Sequence, residues 1–517
     1  MIVHSKYDQL RNKLFSILSI MLLSVAALPM PSAQALQSPV SFTAVSLPTY
    51  QTSGISWSVA QANGLVFVGG TFTSIRPAGS ASGSNLTTRN NLAVFNAATG
   101  SPTSCAPSVT LPSNPSQATV RTLNVSPDKK TLYVGGYFSQ VNGQARNSLA
   151  AIDIASCSLI ANFKPTSNAT VRAIQSTASA VYFGGDVTTA NGQARHYAAA
   201  VSAAGTASPG ALQPWAPVLS KNLRALALKS DDSVIVAGGD FDTVNGADSH
   251  ALAVLNTTSG APVKTFPNHF VPVKSVVKDV AVDDTGFYTG NEGTGTGVFD
   301  GRIALNWSGY SQRWRDTCLG ATQAVVVYKS VVYSGSHAHD CSSMGEYPDG
   351  ARHHFLAESV NSPSLLAWFP QTNEGTGEGL GPRDMVVAPT SGGDYLWAVG
   401  EFTTVNGVAQ QGMTRFGASP DATPSAPATT VSSPSAGKTT IGWTTSLDND
   451  NISLTYNVYR DNSTTPIYTK AANSTFWSRP QLSYTDTVTA KSTHSYKVTV
   501  SDSVHTTTSV SRSITVK

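Results

Sequence analysis

This chain has little charge, few cysteines and none of the common catalytic signatures. Lys, Arg, Asp and Glu make up 12% of its 517 residues, and the formal net charge is only +3. So weak and balanced a charge gives no reason to propose nucleic acid or an anionic membrane as partner. Its four cysteines form no CxxC pair for a metal or for redox exchange, and neither HExxH nor GxSxG occurs. The glycine runs at 292–298 and 374–381 lack the GK[ST] ending of a phosphate loop. Past the N-terminal leader, no stretch approaches the ~18 apolar residues that a spanning helix needs. What the chain has instead is Gly, Pro, Ser and Thr, with 42 glycines and 28 prolines. That mix predicts many short strands joined by turns and argues against a helical protein.

The leader reads as a signal peptide over residues 1–35. Lys6, Arg11 and Lys13 precede an apolar run from Leu14 to Leu28, and Ala33-Gln34-Ala35 supplies a small-x-small cleavage site. A secreted, extracellular protein with no membrane span after cleavage is expected. An exported chain permits disulfides. Cys318 and Cys341 flank the first two strands of one repeat and are expected to pair, which leaves Cys105 with Cys157.

One stretch organises the rest: Leu132-Tyr-Val-Gly-Gly-Tyr-Phe-Ser-Gln-Val-Asn-Gly143. It recurs around Gly69, Gly184, Gly238 and Gly400, with weaker copies at Gly290 and Gly335, in steps of 45 to 66 residues. Seven copies at such a period indicate a repeat array. Each copy reads as four strands, with Asn-Gly at 142–143, 191–192, 245–246 and 406–407 marking a tight hairpin. Glycines paired inside a strand weaken it locally and predict close approach of a neighbouring sheet. An aromatic residue, usually followed by proline, marks each fourth strand, as in Phe163, Trp215, Phe266, Trp314 and Trp368.

Four antiparallel strands repeated seven times predict an all-β, seven-bladed β-propeller over residues 36–417. The last copy stops after its third strand at Met413–Phe416, and the run Ser41–Leu47 is expected to close the ring as the missing fourth. Residues 418–437, rich in Pro, Ser, Thr and Ala, read as a linker. Residues 438–517 carry regular short strands and a buried-Trp candidate, Trp443, which predict a small β-sandwich.

The V-G-G-x-F-x-x-V-N-G repeats resemble the delta-sixty propeller repeats of secreted bacterial proteins, over about residues 41–417. The terminal module, with Leu454-Thr-Tyr-Asn-Val-Tyr-Arg-Asp461 and Ser483-Tyr-Thr-Asp-Thr-Val488, resembles a fibronectin type III domain. The resemblance implies export and association with polysaccharides. It brings no catalytic residues with it.

Two sets of side chains are site candidates. Arg121, Arg172, Arg224, Lys278 and Arg383 head five first strands, with Gln323 and Trp57 at the other two. If first strands are innermost, these residues line one channel mouth, where converging charges could hold an anion as ligand. The alternative is that each cation caps carbonyls or pairs with a carboxylate. A second ring precedes the third strands (Arg89-Asn90, Arg146-Asn147, Arg195-His196, Ser249-His250 and Arg352-His353) and reads as a polar rim or as hairpin ends facing water. The densest cluster of metal-ligand types is His337, His339, Asp340, Glu346, Asp349, His353 and His354. His337, His339, Asp340 and His353 are the candidate ligands for a divalent ion, Ca²⁺ or Zn²⁺. A disulfide-tied loop with surface histidines is the alternative. No other cofactor is implied. Taken together, these residues predict a monomeric, non-catalytic binding or adhesion protein for an extracellular glycan or protein. Trp314 and Trp368 would favour sugar stacking in that binding reading if exposed in a groove, with core packing the alternative. The other reading is a polysaccharide hydrolase or lyase with its site near the sixth repeat.

Overall fold

The structure, a computed structural model, describes residues 41–348 and 350–517. The expected leader (1–35) and Asp349 lie outside the described residues. The described chain is all-β, its helical content limited to the 3-10 turns Pro115–Gln117 and Ser342–Met344. No described helix is long and apolar enough to cross a membrane.

Up to Phe416 the chain repeats one unit, a small antiparallel sheet of three or four strands. The first sheet is Ile55–Ala62, Leu65–Thr71 and Leu92–Asn96. The second is Thr119–Val125, Thr131–Tyr137, Leu149–Asp153 and Ser158–Leu159, and the third Val171–Ser176, Ala180–Gly185 and Ala198–Ser202. The fourth is Leu223–Leu228, Val234–Gly239, Leu252–Asn256 and Pro262–Thr265. The fifth is Ser275–Val282, Gly286–Gly293, Arg302–Asn306 and Gln312–Asp316. Thr322–Tyr328, Val331–Ala338, His353–Ser359 and Ser362–Leu365 make the sixth. Pro382–Thr390, Gly393–Gly400 and Met413–Phe416 make the seventh.

Each first strand packs against the first strand of the next sheet, and the seventh returns to the first. This is the arrangement of a β-propeller, with first strands innermost. The N-terminal segment completes the seventh sheet. Ser46 bridges Phe416 antiparallel, and the amides of Thr43 and Leu47 donate to the carbonyls of Gly417 and Arg415, both at 2.9 Å. Closure leaves the outermost strand of that sheet to the chain's own beginning.

The paired glycines do the packing work expected of them. A Cβ on Gly238 would come 2.4 Å from Val277 Cγ1 of the next sheet, and one on Gly239 would come 2.3 Å from the Asn222 carbonyl oxygen. The Asn-Gly hairpins have positive φ at both residues (50° and 75° at Asn142 and Gly143), as a type I′ turn requires. Each hairpin asparagine also accepts a backbone amide from the preceding inter-sheet segment: Asn142 from Ser108, Asn191 from Thr166, Asn245 from Val218 and Asn406 from Gln371.

Of the aromatic residues expected in fourth strands, Trp314 lies in one, Gln312–Asp316, and the others lie outside such a strand. Phe163 and Trp368 lie beyond the short fourth strands Ser158–Leu159 and Ser362–Leu365. The indoles staple neighbouring sheets: Trp215 donates to the Asn256 carbonyl, Trp314 to Val360 and Trp368 to Thr43, at 2.9–3.1 Å. Trp314 and Trp368 are buried, so neither offers a face to a sugar.

Residues 428–517 form two packed sheets. One is Ala428–Ser432, Lys438–Thr444 and Gln481–Thr487. The other is built on Tyr468–Asn473, Ser453–Arg460, Thr493–Ser501 and Thr506–Thr508. Between them lies a core of Ile441, Trp443, Leu454, Tyr456, Val458, Tyr496, Val498 and Val500. The stretch read as a linker over 418–437 therefore holds a strand. Ala428–Ser432 is poor in large apolar residues because it is an edge strand with little to bury. Both expected disulfides are present, with Cα–Cα distances of 5.5 Å for Cys105–Cys157 and 4.2 Å for Cys318–Cys341.

Candidate functional site

Every first strand has the same irregularity. In the first sheet Ser56 pairs with Gly70 and Ser58 with Gly69, so Trp57 has no partner across the ladder. The same skip omits Arg121, Arg172, Arg224, Lys278, Gln323 and Arg383 in the second to seventh sheets. A bulge of this kind leaves one residue unpaired and re-aims its side chain. These seven residues line a single cavity of about 370 Å³ along the ring axis.

Most of the cations there are paired with carboxylates from the residue following the glycine strand. Arg172 grips Asp186 with two hydrogen bonds of 2.8 Å, and Arg224 Nη2 lies 2.6 Å from Asp240 Oδ2. Lys278 Nζ is 3.0 Å from Glu292 Oε2, an oxygen that also accepts from Gln323 Nε2 at 2.5 Å. Arg383 reaches Gln323, Glu378 and Glu401 at 3.0, 2.8 and 2.6 Å. The glycine run at 374–381 wraps this last pair, the amides of Glu378 and Leu380 donating to the buried Glu401 carboxylate. That run is thus a carboxylate cradle in the mouth.

Arg121 is the exception. It has Tyr137 where its neighbours have an acid, and instead lies 3.8 Å over the Trp57 ring, with Arg383 4.9 Å from the same ring. Burial, then repulsion from Arg172, pulls its guanidinium down to about 10. Lys278 is likewise lowered by burial. Burial pushes Glu292 upward, but Lys278 and Gln323 outweigh it and hold the carboxyl below its usual range.

Two residues not expected from sequence line the same cavity. Asp279 and Asp384 each follow a bulged cation and are partly buried. Asp279 accepts the Val325 amide of the next sheet at 2.8 Å, and Asp384 accepts that of Val59. Ser58 does the same for Leu123 at 3.1 Å. Burial raises both carboxyls, and Asp279 raises Asp384 further. These groups staple adjacent first strands. The signal was available as an acid directly after Lys278 and Arg383.

The other candidates do not converge. Arg146 and Arg195 of the second ring bond to backbone carbonyls, so they act as structural caps. Of the proposed metal ligands, the His337 and His339 rings are 6.3 Å apart, and His353 stacks on Phe476 at 4.0 Å. Asp340 accepts the Ser342 amide. The reason is register: His353 pairs across the ladder with Ala338, so it shares that residue's face of the sheet and not that of His337. Among the described residues, the groups able to share an ion are Cys318–Cys341–Glu346, whose sulfurs are bonded to each other, and Asp421–Asp502–His505.

No family profile matches the chain, and no curated protein matches it. Among solved structures it is similar to Sqt1 of Saccharomyces cerevisiae, at 9% identity and a TM-score of 0.39, over 75% of this chain and 100% of that one. It is also similar to the acylaminoacyl peptidase of Pyrococcus horikoshii, at 10% identity and a TM-score of 0.37, over 77% of this chain and 59% of that one.

Proposed function

We propose that residues 41–417 are a seven-bladed propeller of the delta-sixty kind, carrying a fibronectin type III-like module. In this reading the protein is exported after cleavage behind Ala35 and acts as an extracellular glycan-binding protein without catalytic activity. The observation that carries the reading is the set of seven bulges that aim seven side chains into one mouth. Alternating guanidinium, carboxylate and amide groups there balance in charge and offer paired donors and acceptors, which suits the hydroxyls of a sugar. The indole of Trp57 adds an apolar face. A small, mostly polar cavity is less suited to a flat protein surface, whose binding energy comes from buried apolar anchors.

The test is glycan-array binding of the full mature chain, compared with reducing-sugar release from the same polymers. Saturable binding without release, lost in Arg224→Ala, supports the proposal. Sugar release would establish the hydrolase or lyase reading instead, and a protein that binds no glycan would remove the proposal.

A further inference from the structure

The structure carries a second candidate site, where the ring's last strand hands over to the C-terminal sheets. Asp421 follows the seventh sheet by five residues. Asp502 and His505 belong to the tight turn between Thr493–Ser501 and Thr506–Thr508. Oδ1 of Asp502 accepts the amides of Val504 and His505 at 2.7 and 2.6 Å, which fixes the orientation of the carboxylate. Its Oδ2 is buried and has no hydrogen-bond partner, on a side chain that is 0% exposed. The facing atom, His505 Nδ1, is also buried and without a hydrogen-bond partner.

Distances decide what these atoms are for. His505 Nδ1 is 3.5 Å from Asp502 Oδ2 and 3.9 Å from Asp421 Oδ2, and the three ligand atoms lie within 4.8 Å of one another. That is long for hydrogen bonds. It is the separation of donors around a shared cation whose bonds are about 2.0–2.2 Å. A fully buried carboxylate oxygen without a partner is costly and calls for an explanation of this sort. No Lys or Arg pairs with Asp421 or Asp502 among the described residues.

We infer that Asp421, Asp502 and His505 bind a divalent cation of the zinc type. Imidazole together with two carboxylates suits zinc, whereas calcium takes oxygen donors. The ion would be a clasp. Asn451 donates to both oxygens of Asp421 at 3.3 Å, and Asp450 beside it accepts the amides of Ala422 and of Ala44 in the ring-closing segment. A cation here would tie the connecting segment, whose Pro420 carbonyl accepts from Thr43 of the ring-closing segment, to the 502–505 turn of the sandwich.

The experiment is calorimetric titration of the full mature chain, stripped with chelator, with zinc, calcium or magnesium chloride in separate runs. One zinc per chain is expected, with affinity at least 100-fold weaker in Asp502→Asn and in His505→Ala. Asparagine keeps the turn-capping oxygen, so Asp502→Asn should fold. Cobalt loaded in place of zinc should give a visible ligand-field spectrum that His505→Ala changes, a readout independent of stability. Zinc binding untouched by both variants, calcium bound in preference, or no binding in a chain that melts normally would each overturn the inference.

Discussion

The molecule uses ion pairs in two settings that differ in one variable, access to water. At the mouth, Arg172–Asp186 and Arg224–Asp240 are roughly a quarter exposed. Between the fifth and sixth sheets, Arg302 is completely buried with Asp316 and Glu358, and its Nη1 donates to Ser334 at 2.9 Å. Partly solvated pairs contribute little to stability, about 0–1 kcal/mol. Removing one partner of a buried group leaves an uncompensated charge and costs about 3–5 kcal/mol. The buried set therefore holds two sheets together, while the mouth pairs add little to stability.

The largest effect that would sharpen this contrast is expected from Arg302→Met. It should lower the unfolding free energy by about 3–5 kcal/mol in denaturant titration, because Asp316 and Glu358 would face each other unpaired. If the variant melts like the parent, the buried cluster is not what joins the sheets.

Next comes pH. Burial pushes the Glu346 carboxyl up to about 7, against an ordinary value of 4.5, with Asp316 adding to the rise and Arg302 opposing it. The folded chain thus holds a proton that the unfolded chain releases, so this contribution falls as pH rises from 4.5 to 7 and is absent above that. Its size is at most about 3 kcal/mol. Buried His354, lowered to about 4, works in the opposite direction between 4 and 6.5. The clean measurement is therefore the difference between parent and Glu346→Gln in denaturant titrations at pH 5 and pH 8. The glutamine variant should gain relative stability at pH 8, and equal differences at both values would contradict the assignment.

Gly238→Ala is expected to cost about 1–3 kcal/mol, since its Cβ would overlap Val277 of the next sheet. Thermal melting checks it, and a neutral result would mean that the sheets can part. Smallest in stability is Arg224→Ala at the mouth, below about 1 kcal/mol.

Much of the ring was legible because repeats repeat their chemistry. Seven equivalent positions carried Arg, Lys, Gln or Trp, and tandem copies bring equivalent residues to one axis. The bulges were not legible, because nothing in the composition of Arg172-Ala173 distinguishes a regular strand from one with an unpaired residue. The carboxylate partners lay in plain view directly after the glycines, at Asp186, Asp240 and Glu401, but become meaningful only once the bulge turns the cation toward them. Density misled at His337, His339 and His353, where nearness along the chain did not survive strand register. Composition misled at Ala428–Ser432, an edge strand that buries too little to look like one. The Asp421–Asp502–His505 group was invisible for the opposite reason, since its members come from segments 80 residues apart that only folding brings together.

The central claim is that the seven bulged side chains form one binding surface and not merely a brace for the channel. It is tested most directly by measuring glycan affinity and melting temperature together on the parent and on the double variant Arg224→Ala/Asp240→Ala. Near-parental melting with binding at least tenfold weaker is the predicted result. Lost melting with retained affinity would show that the mouth is structural and that any ligand binds elsewhere.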